Sequence, residues 1–353
     1  AQPAASSQPM KFDIASVSLD KANFTYRDEA TGAQYALKNL GLKTGRIADG
    51  IPSKIDFAAN IEANRPKLDI ETQMKAMLSF SLENKSYKVS GLDFQAKGAV
   101  LDIGNLVVQA SGDASANLAT QEFAANKLRV SASGLKGGDR FNAKLDMPAL
   151  NLNKDKYSSD RVSLDATLDG AMGNIAASLS LPGMEGNAQS FKSNIALNLD
   201  VKQPGQAFKV QLSSPVQGNL EAQQFNLTNL VFAVNATGDK LPNKAVSSEM
   251  KGSVQFDAGR QSVQANLSGG LLQSKVAARL AVNGFTDSVI RFDVDVDQFD
   301  ADLYMPKVAD TSSAKVVSAA PEQPLDLSAL KKLDLEGGLR IGALKVANVK
   351  LAQ

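Results

Sequence analysis

The sequence contains no cysteine, no histidine and no tryptophan. Without Cys and His there is no thiol nucleophile, no disulfide, no Ser-His-Asp triad and none of the usual zinc ligand sets. No side chain has an ordinary pKa near neutrality. Acid–base chemistry would need strongly shifted carboxylates or lysines, and no cluster in the sequence is built to shift them. These absences argue for a protein that is not an enzyme and holds neither a metal nor a cofactor. An excess of one charge is also lacking, with 38 basic against 37 acidic residues. Nucleic acid is therefore not expected as a partner. No apolar run is long enough to span a bilayer as a helix. Missing Cys fits a bacterial cell-envelope protein that needs no disulfide.

What is present is strand after strand. Period-2 alternation runs from about residue 12 to about residue 304 and gives each stretch one apolar and one polar face. Ile55, Phe57, Ala59 and Ile61 alternate with Asp56, Ala58 and Asn60. Leu78, Phe80 and Leu82 follow the rule, as do Ile195, Leu197, Leu199 and Val201. So do Val276, Leu280 and Val282, then Ile290, Phe292, Val294 and Val296. Turn chemistry punctuates these runs at Asp49-Gly50, Gly112-Asp113, Gly137-Gly138, Asp169-Gly170 and Asn283-Gly284. The count predicts roughly twenty strands. A weak repeat joins FNAKLDMPALNL (141–152), AASLSLPGMEG (176–186) and FKVQLSSPVQG (208–218), each an alternating strand with a Pro expected at its end.

The expected organisation is a linker over residues 1–10 and an elongated antiparallel sheet over 11–306. An Ala/Ser/Pro-rich linker or loop follows over 307–324, then a short helix with further strands over 325–353. LDLSALKKL, with Leu327, Leu330 and Leu333 on one face, is the clearest helical pattern. The polar start and the end within an apparent strand suggest a piece of a longer protein. Two sheet architectures use such a pattern: a long curved sheet of repeated hairpins forming an apolar groove, and a β-sandwich that buries both apolar faces. A membrane barrel fits poorly, since Trp is absent and Tyr numbers only five.

Charged segments have ordinary readings. Asp293, Asp295 and Asp297, followed by Asp300 and Asp302, suit a solvated strand face better than a calcium site, because same-face carboxylates lie about 7 Å apart along a strand. Arg27, Asp28 and Glu29 suit a surface hairpin, and Lys43 and Arg46 a solvated loop. Gly269-Gly270 and Gly337-Gly338 do not form a phosphate loop, since no strand-to-helix glycine pattern surrounds them.

Residues 22–52 (ANFTYRDEATGAQYALKNLGLKTGRIADGIP) and 324–352 (PLDLSALKKLDLEGGLRIGALKVANVKLA) resemble the AsmA family of Gram-negative periplasmic proteins anchored in the inner membrane. The strand-rich middle is similar in texture. The resemblance implies kinship with bridge-like lipid-transfer proteins built of repeating β-groove units. It implies a periplasmic segment tethered to the inner membrane through a helix that this chain lacks, and involved in phospholipid transport and outer-membrane homeostasis. Its partners would be phospholipid acyl chains and, alternatively, envelope proteins during outer-membrane protein assembly. The lipid-facing residues would be Ile55, Phe57, Ile61, Leu78, Phe80, Leu82, Ile195, Leu197, Leu199, Val276, Leu280, Val282, Ile290, Phe292, Val294 and Val296.

Overall fold

The fold is that of a computed structural model, which describes residues 13–352 apart from 172, 240, 242–243, 287 and 304–333. The expected linkers at 1–10 and 307–324 and the expected helix at 325–333 lie outside the described residues. The chain is mostly β. Among the described residues the helical content is one short turn, Ala301–Leu303. Two compact units divide the chain, residues 1–204 and 205–353.

The first unit is an antiparallel sheet. Its strands are β2 (Ser18–Asp28), β3 (Ala33–Thr44), β5 (Ser53–Asn64), β6 (Lys67–Ser81), β7 (Ser86–Val100), β8 (Ile103–Asn117), β9 (Glu122–Lys136) and β10 (Asp139–Leu152). Then come β11 (Tyr157–Ser159), β12 (Val162–Gly170), β13 (Gly173–Leu181), β14 (Met184–Gly186) and β15 (Phe191–Gln203). Two short strands, β1 (Asp13–Ile14) and β4 (Ile47–Ala48), pair separately. Each long strand lies beside the next in sequence, so the sheet is a meander of hairpins. The exceptions are interrupted strands: β11 and β12 together face β10, and β13 and β14 together face β15. Pairing of β11 with β14 completes a local ring of ladders and does not close a barrel.

The second unit contains β16 (Gln206–Asn219), β17 (Gln224–Gly238), β18 (Ala245–Asp257), β19 (Ser262–Leu271), β20 (Ser274–Asn283) and β21 (Val289–Asp300). These too form an antiparallel meander. The pattern changes at β22 (Asp334–Val346), which runs parallel to β21 and turns back into β23 (Val349–Ala352).

Neither unit has a packed interior of the sandwich kind. No large side chain in the described residues is fully buried. The most buried apolar positions are chiefly alanines, such as Ala59, Ala76, Ala96 and Ala265, joined by Leu40, Phe191 and Leu230. A second sheet stacked about 10 Å away would bury alternate Leu, Ile and Phe side chains completely. Here those side chains cover one another along a single layer. Burial therefore argues against the sandwich alternative within each unit.

Pro148 and Pro215 sit inside strands, while Pro182 stands at the end of β13, as expected. Pro148 interrupts the β9–β10 register between Met147 and Ala149, Pro182 separates β13 from β14, and Pro215 lies in the register shift between Ser213 and Val216. Proline has no N–H for the ladder, so it occupies places where the ladder is already broken. Gly112-Asp113 is likewise no turn. It lies within β8, where Gly112 has φ +137° and its backbone passes close to Leu128 across a register shift.

Bulges recur with one local design. Asn39, Gly91, Asn105, Lys127 and Asn229 have positive φ, and each lies in a register shift. A leucine follows each one: Leu40, Leu92, Leu106, Leu128 and Leu230. An extra residue bends a strand and increases its twist. It also re-aims the next side chain, and two of these leucines, Leu40 and Leu230 at 6% and 4% exposure, are the only buried leucines among the described residues. Replacing Leu230 with Ala should therefore cost about 2–3 kcal/mol. Leu280→Ala, at a position 37% exposed, should cost about 1 kcal/mol or less. Urea melts of the two variants check this, and equal losses would show that bulge leucines carry no special share of stability.

Candidate functional site

The candidate site is the apolar face, and ladder register builds it. In the first unit one row of directly paired residues crosses eleven strands. It runs Leu19, Leu42, Phe57, Met74, Phe94, Ala110, Val130, Leu145, Leu164, Leu179 and Leu197. No polar residue interrupts it. At about 4.8 Å per strand the row extends on the order of 48 Å along the ladder. Neighbouring rows are also apolar: Ile61 pairs with Leu37 and Ile70, and Ile55 with Ala76.

The second unit repeats the arrangement. Leu212, Phe232, Met250, Gly269, Val276, Val296 and Ile341 form one row. Phe225, Phe256, Val263, Val282, Ile290 and Leu335 form another. Three rings add aromatic contact, with Phe256 lying 6.0 Å from Phe225 and 5.7 Å, stacked, from Phe285.

The residues singled out from the sequence fall on these faces with one exception. Ile55, Phe57, Ile61, Leu78, Phe80, Ile195, Leu197 and Leu199 lie in strands of the first unit, and Leu78 pairs with Val89, Phe80 with Tyr87 and Leu199 with Ala177. In the second unit Val276 pairs with Val296, Leu280 with Phe292, Val282 with Ile290, and Val294 with Ala278. Leu82 stands outside a strand, in the turn after β6, and is exposed. Met74, Phe94 and Val130 need the register of their neighbours before they read as part of a row, whereas Leu145 already alternates within FNAKLDMPALNL.

The opposite face is polar. Gln73, Gln95, Gln109, Ser131, Lys144 and Asp165 form one row, and Lys75, Asp93, Ser111, Arg129, Asp146 and Ser163 the next. The two rows, with Met74, Phe94, Ala110, Val130 and Leu145 of the strand positions between them, line a trough of about 710 Å³. Three cationic and three anionic side chains line it, so it offers no net field for a charged ligand.

The acidic run on β21 is a set of paired carboxylates rather than a free solvated face. Arg340 of β22 donates to Asp293 at 2.8 Å and to Asp295 at 2.5 Å. Arg291 donates to Glu336 at 3.0 Å, and Arg279 lies 3.6 Å from Asp293. Lys345 donates to Asp300 at 2.9 Å. Asp302 accepts the backbone N–H groups of Ala347 and Asn348. Asp297 accepts the Lys275 and Gln298 N–H groups. Among the described residues no group of three or more acidic side chains is placed to hold a metal ion. Asp28 accepts the Ala30 and Thr31 N–H groups in the β2–β3 turn, as the hairpin reading expects. Arg46 forms a forked pair with Asp13, whereas Lys43 sits within β3 rather than a loop.

Comparison with family models, curated proteins and solved structures gives no match.

The charge pairs hold β22, whose first seven residues are exposed, against β21. The hydrogen bond from Arg340 holds the Asp295 carboxyl below its usual range, and the Asn348 N–H does the same for Asp302. A carboxyl whose folded pKa is depressed stabilises the fold above its unfolded value and loses that contribution as pH falls through the folded value. Acidification below about pH 4 should thus loosen β22 and β23 before β18–β20. Arg340→Gln should do so at pH 7. Amide exchange read segment by segment checks both, and uniform exchange across β18–β23 would contradict this account.

Proposed function

We propose that the apolar face carries lipid acyl chains, and that this chain is the periplasmic segment of an AsmA-like protein that passes phospholipid between inner and outer membranes. The observation that supports it best is the eleven-residue apolar row of the first unit, which lies on a single-layer sheet whose large side chains are not fully buried. A monomer seldom leaves a contiguous apolar surface of that extent without a ligand or partner. Acyl chains match its chemistry, since they need neither hydrogen bonds nor charge and can lie across many strands.

The energetics suit passage rather than storage. Full burial of a methylene contributes about 0.8 kcal/mol, and a chain lying on an open face is covered on one side only, so about half that is gained. The absence of histidine and cysteine from the whole sequence supports a carrier over a catalyst.

A photo-crosslinking residue at Leu197 or Val294 should capture phospholipid in cells, while one at Asn198 or Thr167 on the polar side should not. Val294→Asp should fold, because its carboxylate reaches water at the open face, yet fail in lipid passage because the charge resists desolvation by acyl chains. Its melting temperature should fall by only a few degrees. Lipid captured equally from both sides, or protein captured in its place, would overturn the proposal.

A further inference from the structure

The long strands of the first unit end differently at their two margins. Beside the turns at 82–85, 118–121, 153–156 and 187–190, one ladder row holds Phe80, Tyr87, Phe123, Tyr157 and Phe191. Its other members, Ala116, Leu152 and Gly186, carry no polar side chain. Tyr87 and Phe123 are 40% and 44% exposed. The hydroxyls of Tyr87 and Tyr157 have no hydrogen-bond partner among the described residues. A cavity of about 470 Å³ is lined by Phe80, Tyr87, Phe123 and Leu152 together with polar neighbours that include Ser86 and Asn117. At the opposite ends of these strands the row from β5 to β10 has no aromatic member. It passes from Ala63 through Leu68, Val100 and Ile103 to Lys136 and Asp139. Tyr35 and Tyr26 extend that row onto β3 and β2, but Tyr35 already donates its hydroxyl to the Arg65 carbonyl.

From the aromatic margin to the middle of the face the side chains stay apolar. Phe80 is followed inward on β6 by Leu78, Ala76 and Met74, and Phe123 on β9 by Ala125, Leu128 and Val130. Register keeps these on one face: Leu78 pairs with Val89, Ala125 with Leu150, Leu128 with Met147 and Val130 with Leu145. Six residues of extended strand cover about 20 Å. One acyl chain fills half of a hydrocarbon core about 30 Å thick, so it needs about 15 Å. We propose that a phospholipid lies along the strands, with its glycerol and phosphate over the aromatic margin and its acyl chains directed inward to the row of Met74, Phe94 and Val130. This rests on the reading of the face as a lipid carrier and adds a headgroup subsite to it. The tyrosine hydroxyls donate to phosphate or ester oxygens, and the rings cover the first methylenes. Amphipathic rings take that position at membrane interfaces for the same reason. An inverted lipid would leave those hydroxyls facing chain ends, which accept no hydrogen bond. A lipid moving across the ladder therefore keeps one orientation, its headgroup following the turns and its tails the strand middles.

Two photoreactive phospholipids test this with the purified chain, one bearing a diazirine on its headgroup and one at the end of an acyl chain, each in phosphatidylcholine vesicles. Peptide mass spectrometry after irradiation locates the adducts. The headgroup probe should mark 80–87 and 117–123 at least about tenfold more than 63–68 and 100–103, the preference that two hydrogen bonds supply. The acyl probe should mark Met74, Phe94 and Val130. Tyr87→Phe combined with Tyr157→Phe keeps the rings and removes the hydroxyls. It should leave the melting temperature and the acyl adducts unchanged and lower the headgroup adducts at the margin about threefold. Headgroup adducts spread evenly over both margins, or concentrated at 63–68 and 100–103, would overturn the orientation while acyl adducts on the face still supported a carrier. Headgroup adducts unchanged in the double variant would overturn the part given to the hydroxyls. Absence of acyl adducts from the face would remove the carrier reading and this subsite with it.

Discussion

Each unit depends on the backbone ladder in a way that a two-layer protein does not. No second layer stacks on the apolar face among the described residues, so a strand is held by its neighbours in the ladder and by side chains packed sideways along the row. The sideways packing is substantial, as the buried alanines and the bulge leucines Leu40 and Leu230 show. It leaves one surface of most large side chains available. That geometry couples fold and proposed function: the same row of Phe57, Met74, Phe94 and Leu145 stabilises the sheet laterally and presents its outer surface.

Much of this was legible in the sequence, for a simple reason. Side chains alternate at period 2, and a sheet wet on one face and apolar on the other prints that period directly. Ile55, Phe57 and Ile61, or Phe292, Val294 and Val296, need no tertiary information to be placed together. Register is harder. Phe94 pairs with Ala110 and Ala110 with Val130 only because bulges at Gly91 and Lys127 shift the ladders. Asn-Leu does not announce a bulge by itself. Asn229-Leu230 makes one, Asn266-Leu267 sits in regular ladder, and Asn117-Leu118 opens a turn that Asn117 caps. The local preference of Asn for positive φ is the same at all three sites. Which one uses it is decided by the neighbouring strand.

Proline and glycine were misread for a related cause. Both are strong markers of a broken ladder, and a turn is only one way to break it. Pro148, Pro215 and Gly112 mark breaks within long strands, whereas Pro182 ends β13. The turns themselves carry a different repeated signal. SLENKS, NLATQE, NLEAQQ and DAGRQS each begin with a side chain that accepts a turn N–H and place a positive φ at the fifth position, at Lys85, Gln121, Gln223 and Gln261. Lysine and glutamine there cost little compared with a β-branched residue, so the positive-φ position itself carries no glycine.

The parallel strand β22 shows why charge belongs on the polar face of such a sheet. Alternation gives β21 its Asp293 and Asp295, and periodicity alone leaves them as solvated carboxylates. Arg340 pairs with both because β22 runs parallel, which sets it directly beside Asp295 and within reach of Asp293. Exposed pairs contribute little stability singly, so their value here lies in register. Sliding β22 by two residues would keep Leu339 and Ile341 on the apolar side. It would carry Arg340 away from Asp293 or Asp295, and Glu336 away from Arg291. The apolar rows tolerate such a slip, being nearly equivalent along the strand. The charges do not, and they fix the row in which Val294 meets Leu339 and Val296 meets Ile341.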